Sequence, residues 1–224
     1  MLTPESHIGS HARLLAGPGT GKTTTLVKRV QQLVQANGVE PNKILVLTFT
    51  RAAAASLRHK VGDLLGSGTP QDSPRISTLH AFALRQLLLN SSVVETVPRP
   101  VRIADDWEEE EIVLEDLKAL LGDPDIRQTR RKLNQLSASW ETLDSADPER
   151  EQQPPDAAFI GAWGEHRRIF GYTLRAELVF QLLRGLDTNP NFTLEPGFNH
   201  LLVDEYQDLN QCDLGVISGI RKRC

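Results

Sequence analysis

Residues 16–23 read AGPGTGKT, a glycine-rich segment that joins an apolar run to a stretch with helical periodicity. The run before it, ARLLA at 12–16, has strand character, and residues 22–36 place their apolar side chains on one helical face. A glycine-rich turn at a helix N-terminus lets successive backbone N–H groups converge on phosphate oxygens. The segment therefore predicts a phosphate-binding loop. The alternative is a glycine-rich turn that contains a Lys-Thr pair by chance.

The side chains of this loop have separate predicted roles. Lys22 would neutralise the β- and γ-phosphates of a nucleoside triphosphate, and Thr23 would place its hydroxyl on Mg²⁺. Ala16 stands where the usual pattern has glycine, and a small residue should serve there. The predicted nucleotide-binding residues of the loop are Ala16, Gly17, Pro18, Gly19, Thr20, Gly21, Lys22, Thr23 and Thr24.

Two further strand–helix units follow the loop. KILVLT at 43–48 is nearly all apolar, as expected of a parallel strand that is buried on both faces, and a helix is predicted over 52–65. A second strand at 75–78 precedes a helix over 79–90. Repeated strand–helix order predicts a parallel α/β sheet with helices on both faces.

A carboxylate pair ends the last predicted strand, which covers residues 199–203. Asp204 would hold Mg²⁺ through water, and Glu205 would orient and deprotonate the water that attacks the γ-phosphate. Carboxylates at the carboxyl end of a parallel strand lie at the edge where α/β sheets bind ligands. The alternative is a solvated strand end.

Residues 91–195 have helical periodicity and no convincing strand pattern, which predicts an α-helical insertion. The α/β domain would then consist of residues 1–90 and 196–224. Insertion helices are predicted over 105–121, 125–143, 157–170 and 174–186. The side chains predicted to face inward from the first of these helices are Trp107, Leu114, Leu117 and Leu121.

Composition and charge narrow the class of protein. The chain has 224 residues, of which 39% are hydrophobic and 24% are charged, so a folded soluble protein is expected. The sequence has no apolar run near the roughly 20 residues of a membrane span and no secretory signal pattern, which favours the cytoplasm. Residues 1–90 carry ten Lys and Arg against four Asp and Glu, so that half can attract phosphate although the net charge of the chain is −4.

Four motifs in order resemble the UvrD/Rep (PcrA-like) group of superfamily 1 DNA helicases. They are AGPGTGKT at 16–23, VLTFTRAAAASLRHKV at 46–61, STLHAFALRQLL at 77–88 and VDEYQDLN at 203–210. The resemblance implies a RecA-like P-loop NTPase fold, ATP and Mg²⁺ as cofactors, and movement 3′ to 5′ on DNA that is single-stranded or partly duplex. No membrane partner is implied.

The same resemblance implies which residues lie on the path of single-stranded DNA. They are Phe49, Thr50, Arg51, Thr78, His80 and Phe82. Gln207, which is also implied to contact the nucleotide, and Asp208 would couple the nucleotide to the DNA side. Hydroxyls and Arg51 can meet phosphates, and an aromatic face can stack on a base. Alternatively, Phe82 belongs to the core and His80 makes only local hydrogen bonds.

The chain also departs from the group's pattern. Ser6 stands where relatives carry a glutamine that recognises adenine, and the chain ends at Cys224, soon after the fourth motif. A second RecA-like domain with arginine fingers would have to come from a further domain or chain, so the isolated chain is expected to be poorly active. The alternatives are a nucleotide- and DNA-binding module without helicase activity and another P-loop enzyme, such as a small-molecule kinase.

Overall fold

In a computed structural model of the chain we describe residues 11–14, 20–66, 72–94, 96–143 and 156–223. They form two compact units, each built from two stretches of sequence. The sheet unit lies within Met1–Leu79 and Leu194–Asp208, and the helical unit comprises His80–Thr193 and Leu209–Arg223. No helix within the described ranges combines the length and hydropathy that a bilayer span needs.

The sheet unit contains three parallel strands in the order β2-β1-β3. Their bounds are Ile44–Thr48 for β1, Arg75–Thr78 for β2 and His200–Val203 for β3. All five residues of the central strand β1 are buried, as its apolar sequence predicts. The parallel pairing confirms the predicted α/β class and brings the carboxyl ends of β1 and β3 side by side, with Leu47 opposite Val203.

Two helices pack on one face of this sheet. Helix α1 covers Lys22–Gln35 and helix α2 covers Arg51–Leu65. Their shared core includes Val30 and Leu57 from the helices and Val46 from the sheet. Of the predicted first strand, residues 12–14 are exposed and outside the sheet, and residues 15 and 16 lie outside the described part of the chain.

The helical unit begins with α3 and ends with α9. The helix bounds are Leu79–Leu89 for α3, Asp106–Glu108 for α4, Leu114–Leu121 for α5, Ile126–Thr142 for α6, Ala157–Phe170 for α7, Glu177–Thr188 for α8 and Gln211–Arg221 for α9. A core that includes Leu117, Trp140 and Phe159 joins α5, α6 and α7. The domain boundaries predicted after residues 90 and 195 stay a prediction.

The predicted inward position of Trp107 is wrong. Leu114 and Leu117 are buried as predicted, but Trp107 is 63% exposed. A π-helical turn over Glu109–Val113 separates α4 from α5. Because such a turn holds more residues than an α-helical turn, it rotates the preceding side chains away from the face that the 3.6-residue period predicts.

Candidate nucleotide-binding site

A cleft of about 780 Å³ opens at the carboxyl edge of the sheet. Its described lining comes from the start of α1, the end of β1 with the start of α2, and the turn after β3. These residues are Gly21, Lys22, Thr23, Thr24, Thr48, Phe49, Thr50, Ala53, Asp204, Glu205, Gln207 and Asp208. Ala16, Gly17, Pro18 and Gly19 lie outside the described residues, and Thr20, which is described, is exposed.

The N-terminus of α1 points its first residues into this cleft. Gly21 caps the helix with φ 87°, a left-handed conformation that glycine adopts without the steric cost of a side chain. The Gly21 carbonyl accepts a hydrogen bond of 2.9 Å from the N–H of Thr25. Lys22 and Thr23 therefore start the helix, where free N–H groups and the helix dipole favour an anion.

Lys22 is paired with Glu205, which is 183 residues away in sequence. The Lys22 Nζ donates to Glu205 Oε2 at 3.0 Å, and the Gln207 Nε2 donates to the same oxygen at 2.6 Å. The hydrogen bonds from Gln207 and Lys22 hold the pKa of Glu205 below its ordinary value. Because the side chains of Lys22 and Glu205 are 27% and 37% exposed, water can replace this pair at modest cost.

A sharp turn aims Glu205 at the cleft. The Asp204 N–H still donates to Leu47 O at 2.8 Å, so the chain runs as an extended strand up to that point. Glu205 then adopts φ 50°, an unusual conformation for a residue with a side chain. The Asp208 N–H closes the following short helix by donating to Glu205 O at 2.9 Å. Backbone strain of this kind is often found at functional sites.

Asp204 is the buried member of the carboxylate pair, with 9% of its surface exposed. Burial raises the pKa of Asp204, the neighbouring Glu205 carboxylate raises it further, and the Glu205 N–H and Lys22 oppose this rise. The two carboxylates together carry more negative charge than Lys22 balances. A cation beside Asp204 would therefore be stabilised.

The residues predicted to contact DNA are distributed over both units. In the sheet unit, Phe49 is 57% exposed at the mouth of the cleft, and Arg51 is exposed on the first turn of α2. The Thr50 hydroxyl caps α2 by accepting from the Ala53 N–H at 3.0 Å. Thr78 ends β2 and is half-buried.

The other two predicted DNA contacts belong to the helical unit. His80 is exposed on α3, whereas Phe82 on the same helix is only 3% exposed. The burial of Phe82 agrees with the alternative that it belongs to the core. Its contact with DNA stays a prediction.

Comparison with known proteins identifies the family of the chain. The family model described as UvrD/REP helicase N-terminal domain matches residues 3–223. The chain belongs to this family. The match covers both the parallel sheet and the helical segment, so the sheet has the P-loop NTPase fold of the UvrD/REP family.

Curated relatives of the chain are helicases by name. "DNA helicase II" of Escherichia coli (strain K12) is 34% identical over 207 residues, which are 90% of this chain and 28% of that protein. "ATP-dependent DNA helicase UvrD1" of Mycobacterium leprae (strain TN) is 29% identical over 91% of this chain and 27% of that protein. "ATP-dependent DNA helicase PcrA" of Bacillus subtilis (strain 168) is 26% identical over 94% of this chain and 29% of that protein. The chain thus spans a little over a quarter of the length of these relatives.

Thr48 lines the cleft but was missed in the sequence prediction. It is the last residue of β1 and the one polar residue in the strand ILVLT. A polar residue at the carboxyl end of an otherwise apolar parallel strand is a signal that could have identified it. Asp208 also lines the cleft, as does Gln207, and their coupling of the nucleotide to the DNA side stays a prediction.

Proposed function

We propose that this chain is the ATP-binding, DNA-contacting part of an ATP-dependent 3′–5′ DNA helicase. The proposal depends on one observation. Lys22 Nζ at the start of α1 lies 3.0 Å from Glu205 Oε2, which follows β3. A cation at a helix N-terminus beside a carboxylate pair suits a triphosphate and its attacking water. The names of the relatives support ATP as the nucleotide and DNA as the track.

Mg²⁺ fits the oxygen donors at this edge of the sheet. Thr23 and Asp204 would hold it, and Mg²⁺ in nucleotide sites is usually bound by one or two protein oxygens together with phosphates and waters. Thr48, whose hydroxyl is buried without a partner among the described residues, adds an oxygen to the same cleft. When bound, the ion would offset the negative charge that develops during phosphoryl transfer.

The chain's own residues would carry the remaining steps. When a triphosphate binds, its phosphates would compete with Glu205 for Lys22. The Lys22 side chain would then turn away from Glu205 and toward the phosphates. Because its hydrogen bond with Lys22 lowers the pKa of Glu205, losing Lys22 makes this carboxylate a stronger base. Glu205, still held by Gln207, would then orient the attacking water and accept its proton. Nucleotide binding would thus activate the base that the pair with Lys22 restrains.

Single-stranded DNA is proposed to cross the sheet edge at Phe49. We expect Phe49→Ala to weaken binding of a labelled single-stranded oligonucleotide about 5- to 150-fold, because stacking on an aromatic ring contributes roughly 1–3 kcal/mol per base. Fluorescence anisotropy at fixed salt measures this change. Phe170→Ala is the matched control, since Phe170 is 52% exposed but lies in the helical unit.

Salt dependence separates DNA binding from nonspecific adhesion of an aromatic surface. Affinity for the oligonucleotide should fall as salt rises, because lysines and arginines that neutralise phosphates release counterions. Salt-independent binding, or equal losses in the Phe49 and Phe170 variants, would contradict the proposed DNA path. A chain that binds ATP but no oligonucleotide would instead favour the small-molecule kinase alternative.

One observation favours the module alternative for the isolated chain. Lys22 is the one cation among the described residues that line the cleft, whereas phosphoryl transfer commonly needs further positive charge on the transferred group. We therefore expect the purified 224-residue chain to bind ATP yet show little DNA-stimulated hydrolysis in a phosphate-release assay. Robust stimulated turnover that Lys22→Ala abolishes would refute the module reading for this chain.

A further inference from the structure

Thr48 occupies an unusual position for a hydroxyl group. The residue is 4% exposed, and its Oγ1 has no hydrogen-bond partner among the described residues. Burying a hydroxyl without a partner is unfavourable, because the group loses its hydrogen bonds to water. Thr48 nevertheless lines the cleft that contains Lys22 and Asp204. A partner that arrives with a ligand would remove this penalty.

Strand register shows which way the Thr48 side chain points. Val46 and Leu202 are paired in the ladder, and both contact the core that α1 and α2 form. Because side chains alternate along a strand, Thr48 and Asp204, two residues further along each strand, project from that same face. The bond from Asp204 N to Leu47 O extends the β1–β3 pairing to this level. The hydroxyl and the carboxylate therefore stand on neighbouring strands, on the face that carries α1.

The chemistry of this pair limits what fits beside it. The Asp204 carboxylate accepts hydrogen bonds, whereas the threonine hydroxyl can both accept and donate. Water bound to a divalent ion is a strong donor, and Mg²⁺ keeps several waters in its shell when it binds phosphates. A hydroxyl beside a carboxylate matches such a water better than it matches a phosphate oxygen, which the carboxylate repels.

We propose that Thr48 is a further binding residue of the nucleotide site, whose hydroxyl hydrogen-bonds a water of the Mg²⁺–triphosphate complex. This inference rests on the proposed function and adds a residue to it. An unpartnered hydroxyl alone is not a site, as Thr173 illustrates. The Oγ1 of Thr173 is also buried without a partner among the described residues, but Thr173 lies in the helical unit and does not line the cleft.

Binding of a fluorescent, slowly hydrolysed ATP analogue tests this role. In Mg²⁺, Thr48→Val should weaken binding about 10- to 150-fold, the usual range for loss of one hydrogen bond to a charged complex. In EDTA the same substitution should change the affinity less than twofold. Thr48→Ser, which keeps the hydroxyl, should bind as the wild-type chain does in both conditions. Thr173→Val is the matched control and should leave binding unchanged.

Thermal unfolding of the nucleotide-free chain checks that these variants fold. Both valine variants should be at least as stable as wild type, because each removes a buried hydroxyl that has no partner in the described part of the chain. Thr48→Ala provides a second, smaller deletion if valine does not fit. In the folded deletion variants, wild-type affinity in Mg²⁺ would overturn the inference, and equal losses in Mg²⁺ and EDTA would overturn the assignment to a metal-bound water. Failure of the wild-type chain to bind the analogue would overturn the proposed function as well.

Discussion

Replacing Lys22 with alanine is expected to weaken binding of ATP to this chain by about 30- to 1000-fold. Truncating one member of a desolvated, hydrogen-bonded charge pair, here Lys22 with the bound triphosphate, costs roughly 2–4 kcal/mol of binding free energy. Lys22 is the one described cation in the cleft lining. Its removal also leaves the Asp204 and Glu205 carboxylates uncompensated, so they repel the incoming triphosphate. Equilibrium titration with a fluorescent ATP analogue in Mg²⁺ measures the loss.

A control variant and a stability measurement distinguish loss of the nucleotide site from loss of the fold. Lys28→Ala is the matched control, because Lys28 lies on the same helix, is exposed and does not line the cleft. The free energy of unfolding of the nucleotide-free Lys22→Ala chain should differ from that of wild type by less than about 1 kcal/mol, since a half-exposed ion pair contributes little to stability. Affinity within threefold of wild type would contradict the assignment of Lys22 to the phosphates.

The local sequence pattern was sufficient to predict much of the sheet unit. The apolar run at 43–48 and the Ala-rich stretch after it predicted β1 and α2 to within one residue. Burial on both faces leaves an uninterrupted apolar signal, so such strands are easily identified. The fourth motif placed Asp204 and Glu205 directly after β3, as the structure has them.

Features that depend on distant contacts or irregular hydrogen bonding could not be predicted from the local sequence pattern. The π-helical turn before α5 changes the register of Trp107, and a count of 3.6 residues per turn cannot detect it. The direct bond between Lys22 and Glu205 joins residues on different elements, and the sequence indicated their proximity but not their pairing. The lack of a hydrogen-bond partner for the Thr48 hydroxyl within the described ranges follows from what surrounds it in space rather than from its own residue type.

A buried ion pair in the helical unit also depends on contacts between different elements. Glu177, which is fully buried at the start of α8, accepts a hydrogen bond of 2.6 Å from Arg167 on α7. The Gln181 Nε2 donates to the same Glu177 oxygen at 2.6 Å. The Arg167 guanidinium also donates to Thr96 O at 2.8 Å and lies 5.2 Å from the centre of the Trp163 ring. Arg167 therefore joins three parts of the helical unit.

Arg167→Ala is expected to destabilise the chain by about 3–5 kcal/mol at pH 8, because it leaves the Glu177 carboxylate buried and unpaired. Chemical denaturation monitored by far-ultraviolet circular dichroism measures this loss. The double variant Arg167→Met, Glu177→Leu should recover most of it, since apolar side chains of similar volume can replace a buried pair. With the single variants Arg167→Met and Glu177→Leu, the double variant closes a thermodynamic cycle. A double variant no more stable than Arg167→Ala would contradict an electrostatic origin of the loss, because methionine restores the packing of the arginine stem.

The pH dependence of stability tests the electrostatic origin of this effect independently. Burial raises the pKa of Glu177 to about 7, against the opposing effects of Arg167 and Gln181, whereas the ordinary value is 4.5. Between those two values the folded chain keeps a proton that the unfolded chain has lost, so the contribution of Glu177 to stability falls as pH rises through this window. Relative to Glu177→Gln, the wild-type chain should therefore lose stability between pH 5 and pH 8.

Because Arg167→Ala removes a partner that lowers the pKa of Glu177, its deficit in stability relative to wild type should be smaller at pH 5 than at pH 8. A deficit independent of pH would show that the charge of Glu177 is not what Arg167 balances.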